Sequence, residues 1–104
     1  EVNDTLYISG QIPVNPENGK VDPLTIEQQA EQVLQNIGAI LQAAGYGYSD
    51  VVKSTIFITD MKNFSAVNEV YKKYYTEKFP ARSTVAVKEL PLGVMVEIET
   101  IAIK

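Results

Sequence analysis

The chain has 104 residues with a net charge of −4 and an isoelectric point near 4.7, a size that predicts a single domain, residues 1–104, with one core. It contains no histidine and no cysteine, which excludes Ser-His-Asp and Cys-His catalysis, thiolate nucleophiles and the usual zinc sites. The acidic balance without a basic stripe argues against a nucleic-acid partner, and no apolar run approaches the roughly 20 residues that a membrane span needs. The lack of cysteine favours a cytoplasmic location.

The first half of the sequence predicts a strand and a long helix. Residues 5–13, TLYISGQIP, predict a β-strand followed by a turn, and Gly10 either belongs to that turn or lets a ligand approach the backbone. Residues 15–23 form a loop rich in Pro, Asn and Gly. From Thr25, apolar residues recur at helical spacing, with a capping box from Thr25 and Gln28 and a stop at Gly45.

The second half predicts one helix and three strands. Residues 51–59, VVKSTIFIT, predict a strand that is apolar on both faces, and residues 61–79 predict an amphipathic helix that ends before Pro80. Its tyrosines are interpreted as packing residues rather than as a platform for stacked bases. Residues 83–90 and 94–103 predict a hairpin around Pro91-Leu92-Gly93. The order β-α-β-α-β-β predicts an α+β domain whose two helices cover one sheet face.

The last predicted strand is apolar on both of its sides. Two helices cover only one face of a sheet, so a monomer would expose the other apolar face, which usually marks an interface. We therefore expect a homo-oligomer. The two sides carry these residues: Val94, Val96, Ile98 and Ala102 on one, and Met95, Ile101 and Ile103 with Glu97 and Glu99 on the other.

Arg82 follows Phe79-Pro80-Ala81, a stiff approach to a strand. Two interpretations are open. One is a solvated arginine in an ion pair at the strand edge. The other is a fixed guanidinium that binds a substrate carboxylate through two hydrogen bonds, since arginine stays protonated and cannot donate the proton itself.

Glu97 stands among apolar residues, where a carboxylate without a partner or a task is rare. It is either an acid/base group or a carboxylate at an exposed or interface rim. In the predicted hairpin Glu97 pairs near Val87 and Arg82 near Ala102, so the two lie about 16 Å apart. A shared site would then need one of them from a neighbouring subunit. Asn68, on the second helix, is either a surface amide or a donor in the site.

Several segments together resemble the Rid (YjgF-type) family of small reactive-intermediate deaminases. They are YISGQIP, TIFITDMKNFSAVNEVY, PARSTVAV and VEIETIAIK, and the resemblance covers essentially the whole chain. It implies a chorismate-mutase-like α+β fold with a mixed sheet. It further implies a homotrimer whose sheets face an inner barrel, with the helices outside and ligand clefts between adjacent subunits.

The implied chemistry is hydrolysis of enamines and imines, notably 2-aminoacrylate and 2-iminopropanoate, to 2-keto acids and ammonia, without metal or cofactor. By position, Arg82 would clamp the substrate carboxylate and Glu97 would polarise water or shuttle protons. Main-chain groups of Thr84 and Gly10 would line the cleft, with Ser9 and Asn68 as polar neighbours.

This sequence departs from the family in two places. Thr84 stands where many members have cysteine, but the implied contact is through the backbone. The family's N-terminal segment, with a Gly-Pro-Tyr motif and a site tyrosine, is missing from this sequence, and it is either absent from the protein or trimmed. True absence would weaken both the first strand pairing and the deaminase assignment.

Three functions follow from the resemblance. The leading hypothesis is the deaminase. The second is a regulatory module that binds 2-keto acids in the same cleft without turnover. The third is an endoribonuclease, against which the acidic charge, the lack of histidine and the missing basic stripe weigh.

Overall fold

The computed structural model describes all 104 residues and contains four strands and two α-helices. In chain order these are β1 (Thr5–Gln11), α1 (Ile26–Ala43), β2 (Val51–Ile58), α2 (Phe64–Lys72), β3 (Ala81–Ala86) and β4 (Val96–Ile103). The strands form one mixed sheet in the order β1-β4-β2-β3. β4 is antiparallel to both of its neighbours, and β2 is parallel to β3. The predicted mixed α+β fold is confirmed.

Helix α1 begins where the sequence predicts. The Thr25 hydroxyl accepts the Gln28 backbone N–H at 3.1 Å, and the Gln28 side chain accepts the Thr25 backbone N–H at 3.5 Å, so both halves of the capping box form. After the last turn, Gly45 has φ +83°, a left-handed conformation that glycine adopts without a steric penalty. These local signals fix both ends of the helix.

The predicted hairpin between the last two strands is wrong. β3 and β4 are not neighbours, because β2 lies between them and pairs with both. The connection from β2 to β3 runs through α2, and a helical crossover brings its two strands together in parallel. Pro91–Gly93 forms a short 3-10 turn instead of a hairpin loop.

Helix α2 is shorter than predicted. The sequence predicts a helix that ends just before Pro80, but α2 ends at Lys72. The backbone then tightens, with hydrogen bonds from Lys73 N–H to Val70 O and from Tyr74 N–H to Tyr71 O, both at 3.1 Å. Residues 73–80 carry the chain from the helix layer to the sheet edge, where β3 begins.

The core lies between the two helices and one face of the sheet. Alternate residues of β4 point into it, and Val96, Ile98 and Ala102 are fully buried. The helices contribute their apolar stripes to the same cluster: Ala30, Val33, Leu34, Ile37 and Leu41 from α1, and Val67, Val70 and Tyr71 from α2. Neither helix combines the length and apolar content that crossing a bilayer requires.

The other face of the sheet carries no helix. Tyr7 on β1 is 65% exposed there, and Val85 on β3 and Ile103 on β4 are 41% and 46% exposed. Glu97 and Glu99 also point to this face, which we call the open face. As the sequence predicts, a single chain leaves an apolar sheet surface exposed.

Candidate active site

Arg82 lies on β3, the edge strand next to β2, and is the only arginine of the chain. It pairs with Ser54 of β2, which is fully buried on the helix side, so Arg82 points to that side as well. Neither salt bridge of the chain involves Arg82. Of the first predicted interpretation, the solvated position at the strand edge is observed, since Arg82 is exposed on β3, but no ion pair forms within the chain. Its positive charge meets no carboxylate within the chain.

The guanidinium of Arg82 is nevertheless held by α2. Its Nη1 donates a hydrogen bond to the Oδ1 of Asn68. The rings of Tyr71 and Phe64 lie 5.0 and 5.8 Å from its Cζ. Asn68 uses its carbonyl oxygen for this contact, which leaves its N–H₂ group free to donate elsewhere. The structure thus brings together two of the predicted site residues.

Glu97 lies on the open face of β4, against Gly10 of β1. A Cβ atom placed on Gly10 would come within 1.8 Å of the Glu97 Oε2 and 2.7 Å of its Cδ. Only a residue without a side chain leaves room for the carboxylate in its observed position. Glu97 is partly buried and, like Arg82, takes part in neither salt bridge.

A β-bulge places Gly10 beside Glu97. Ile8 pairs with Thr100 and Gln11 with Ile98, so Ser9 and Gly10 together stand opposite the single residue Glu99. Such bulges bend a strand and re-aim its side chains, often next to active sites. The turn predicted at Ser9-Gly10 is therefore wrong, since both residues lie within β1. Within the chain the group that approaches Gly10 is the carboxylate of Glu97, and the predicted approach of a ligand to the Gly10 backbone stays a prediction.

Arg82 and Glu97 point to opposite faces of the sheet. Glu97 pairs with Phe57 of β2, which pairs with Val85 of β3, three residues after Arg82. The two Cα atoms are then about 14 Å apart, from two strand spacings and three residue rises. The predicted separation of about 16 Å between Arg82 and Glu97 was based on a hairpin that does not form, but the two residues are still far apart in the observed sheet. One small molecule cannot touch both side chains of one chain.

The predicted site residues therefore fall into two groups. Arg82, Asn68 and Thr84 lie at the β3 edge on the helix side, with Thr84 two residues beyond Arg82. Ser9, Gly10 and Glu97 lie on β1 and β4, and Ser9 borders a depression of about 200 Å³ on the open face. Each group holds part of the chemistry, and neither holds both the cation and the carboxylate.

The sequence predictions missed the two aromatic neighbours of Arg82. Tyr71 was interpreted only as a packing residue, and it is indeed buried, with an exposure of 5%. Phe64, Asn68 and Tyr71 stand at positions i, i+4 and i+7 of α2, hence on one helix face. That spacing was the available signal. No group of three or more Asp and Glu side chains is arranged to hold a metal ion.

Comparison with known proteins gives the family. The model of the Endoribonuclease L-PSP family matches residues 1–104. The chain belongs to this family. A solved structure from Yersinia pestis, described as a protein of the conserved Rid protein family, superimposes with a TM-score of 0.97 at 50% identity, and the match covers 100% of this chain and 83% of that one. The predicted Rid resemblance is confirmed.

Two curated relatives within the family carry different names. The 2-iminobutanoate/2-iminopropanoate deaminase of Capra hircus is 48% identical over 103 residues, which are 99% of this chain and 75% of the relative. A Lactococcus lactis protein named as the regulator AldR is also 48% identical, over 101 residues, which are 97% of this chain and 80% of the relative. Membership in the family is thus compatible with catalysis and with regulation.

Proposed function

We propose that the chain hydrolyses imines and enamines of small 2-amino acids, such as 2-iminopropanoate and 2-aminoacrylate, to 2-keto acids and ammonia. One observation carries the proposal: the only arginine meets no carboxylate in its own chain, yet Asn68 holds it in place. A fixed, unpaired guanidinium is a ready partner for a substrate carboxylate. The deaminase name of the Capra hircus relative supports the same activity.

The complete site is proposed to form between subunits of a homotrimer. Arg82 of one subunit and Glu97 of its neighbour would face one cleft, because within a chain they point to opposite sheet faces. Main-chain groups of Thr84 would lie on the arginine side, with Asn68, and those of Gly10 on the carboxylate side, with Ser9. The apolar open face would supply the contacts between subunits.

The proposed reaction is addition of water to a C=N bond. Arg82 binds the carboxylate, and Glu97 takes a proton from the attacking water as its oxygen bonds to the imine carbon. Glu97 returns that proton to nitrogen, which gives a carbinolamine. It then carries the proton of the new hydroxyl to the same nitrogen, so the C–N bond breaks and ammonia leaves as the C=O bond of the 2-keto acid forms. An enamine enters the same route after it takes up a proton at carbon. This chemistry requires no metal or cofactor, and it suits a cytoplasmic setting in which amino-acid enzymes release such intermediates.

The proposal is tested with an imine that is generated in the assay itself. An amino-acid oxidase converts alanine to 2-iminopropanoate, and ammonia release is followed with and without the purified chain. We expect a clear acceleration over spontaneous hydrolysis. If the protein leaves the rate unchanged over a panel of 2-imino acids, the deaminase proposal fails.

Gly10→Ala should separate activity from stability. The new Cβ would overlap the Glu97 carboxylate, which sits at the end of a flexible side chain and can swing aside. We therefore expect a fall in imine hydrolysis of about 10-fold or more, with a melting temperature within a few degrees of the unaltered protein. Steady-state kinetics and thermal unfolding give the two values.

Gly47→Ala is the matched control for this substitution. A Cβ at Gly47 would meet no atom within 4 Å, and its φ of −130° suits alanine. It should leave both activity and unfolding unchanged. Full activity in Gly10→Ala would contradict the proposed role of the Gly10–Glu97 contact.

The mass of the protein in solution tests the proposed assembly. A trimer should run at about 35 kDa, three times the 11.5 kDa of one subunit. Val85→Glu places a charge on the open face, where Val85 is 41% exposed, and should shift the mass toward that of the monomer. Light scattering coupled to gel filtration measures both. A stable monomer for the unaltered chain would contradict an intersubunit site.

A regulatory protein is the second candidate, favoured by the AldR name of a relative at 48% identity. It would use Arg82 to bind the carboxylate of a 2-keto acid without turnover. Saturable binding of 2-ketobutyrate, together with no hydrolysis of any imine, would favour it over the deaminase. The endoribonuclease in the family name is disfavoured here by the net charge of −4 and the absence of histidine.

A further inference from the structure

Three side chains of α2 surround the guanidinium of Arg82. Asn68 accepts its hydrogen bond, and the rings of Phe64 and Tyr71 approach its Cζ to 5.8 and 5.0 Å. Within about 6 Å, the face of an aromatic ring attracts a guanidinium. The hydrogen bond fixes one edge of the guanidinium group, and the two rings restrict its tilt.

The two rings are held to different degrees. Tyr71 is 5% exposed, and its ring centroid lies 4.5 Å from that of Tyr75 in the core. Phe64 is 38% exposed. Tyr71 is therefore the rigid support, and it connects an exposed arginine on an edge strand to the packed interior.

A buried hydroxyl cluster of Ser54, Tyr71, Tyr75 and Thr100 lies next to this support. The hydroxyl oxygens of all four are buried and make no hydrogen bond to another group of the chain. Burial raises the pKa of Tyr71 and of Tyr75, and the nearby Ser54 hydroxyl opposes that rise in both. Ser54 pairs with Arg82 on one side and with Thr100 on the other. The hydroxyl groups of Tyr71 and Tyr75 thus lie near Ser54 of β2, the residue that pairs with Arg82.

We infer that Tyr71 and Phe64 are positioning residues, which hold the Arg82 guanidinium in the orientation that binds a carboxylate. Tyr71 contributes more, because the core fixes its ring. For its kinetic readout the inference rests on the proposed deaminase function. A second readout, the NMR signal of the only arginine in the chain, does not depend on activity.

The kinetic test replaces each ring by leucine. Removing an aromatic partner of a cation should weaken carboxylate binding between about 2-fold and 30-fold, with Tyr71→Leu toward the upper end and Phe64→Leu toward the lower. We expect the loss in KM, with kcat within about 3-fold, because neither ring touches the reacting C=N bond in the proposed reaction. Tyr71→Phe keeps the ring and should restore KM to within about 2-fold.

Tyr75→Leu is the matched control. It removes a neighbouring ring of the same buried aromatic pair, but neither contact of a ring with Arg82 involves Tyr75. A purely structural role of these tyrosines predicts equal effects of Tyr71→Leu and Tyr75→Leu. The positioning role predicts a larger rise in KM for Tyr71→Leu than for Tyr75→Leu, because Tyr75→Leu leaves both rings beside Arg82 in the chain.

The NMR test reads the arginine directly. In ¹⁵N-labelled protein Arg82 gives the single side-chain Nε–Hε signal. We expect nuclear Overhauser contacts from this group to the Tyr71 ring in the unaltered protein and in Tyr75→Leu, and their loss in Tyr71→Leu. Tyr71 is buried, so its replacement carries a risk of unfolding the protein. If Tyr71→Leu fails to fold, the contacts of Arg82 in the unaltered protein and the KM of Phe64→Leu still test the inference, because Phe64 is partly exposed.

Two results would overturn the inference. One is an Arg82 signal in the unaltered protein without contact to either ring. The other is an unchanged KM in both Tyr71→Leu and Phe64→Leu. If the unaltered protein hydrolyses no imine, the proposed function fails, and the NMR result alone judges the positioning role.

Discussion

Arg82→Ala should abolish imine hydrolysis, and Arg82→Lys should lower kcat/KM by about 100-fold or more. Lysine keeps the positive charge but lacks the planar fork that makes two parallel hydrogen bonds to a carboxylate. Each hydrogen bond to a charged group contributes about 1.5–3 kcal/mol. Losing one of the two hydrogen bonds to the substrate carboxylate, together with their parallel geometry, therefore accounts for a loss of about 100-fold in kcat/KM. Arg82 has no salt bridge within its chain, so its removal leaves no unpaired carboxylate behind.

Two controls separate the loss of carboxylate binding in Arg82→Ala from a loss of stability and from a change in net charge. Arg82 is exposed, so Arg82→Ala should unfold within about 1 kcal/mol of the unaltered protein in urea. Lys72→Ala removes one positive charge from an exposed position of α2 and should leave kcat/KM unchanged. Equal losses in Lys72→Ala and Arg82→Ala would point to net charge rather than to carboxylate binding. Near-normal activity of Arg82→Lys would contradict bidentate binding.

Local signals in the sequence predicted which segments form helices and strands, but the end of α2 and the bounds of β3 were placed too late. The capping box at Thr25 and the stop at Gly45 depend only on residues within a few positions, so both ends of α1 follow from the sequence. Strand pairing depends on residues far apart in the chain. Apolar patterns alone could not indicate that β2 inserts between β3 and β4, and the nearest strands were paired instead.

The candidate site shows the same division. The residue types and the family resemblance indicated Arg82 and Glu97, but the faces they occupy follow from the register of the sheet. The contact of Gly10 with Glu97 joins residues 87 positions apart and depends on a bulge that no local pattern marks. The contact of Arg82 with Asn68 likewise required the crossover through α2.

Mixed assemblies of two inactive variants should recover activity. Arg82→Ala removes the cation, and Glu97→Gln keeps the shape of the side chain but removes the base, which should lower kcat by about 10²- to 10⁴-fold. If each cleft takes Arg82 from one subunit and Glu97 from its neighbour, an equal mixture assembles about one quarter of its clefts from two intact halves. The two variants, unfolded together and refolded, should therefore regain about one quarter of the unaltered activity.

A dilution experiment gives an independent measure of the same geometry. The double variant Arg82→Ala/Glu97→Gln is refolded with an equal amount of the unaltered chain. Clefts shared between subunits would leave about one quarter of the activity of an all-unaltered sample, whereas sites within one chain would leave about one half. Recovery in the first experiment and one quarter in the second would establish the shared cleft. No recovery together with one half would contradict it, and the opposite faces of Arg82 and Glu97 predict the first outcome.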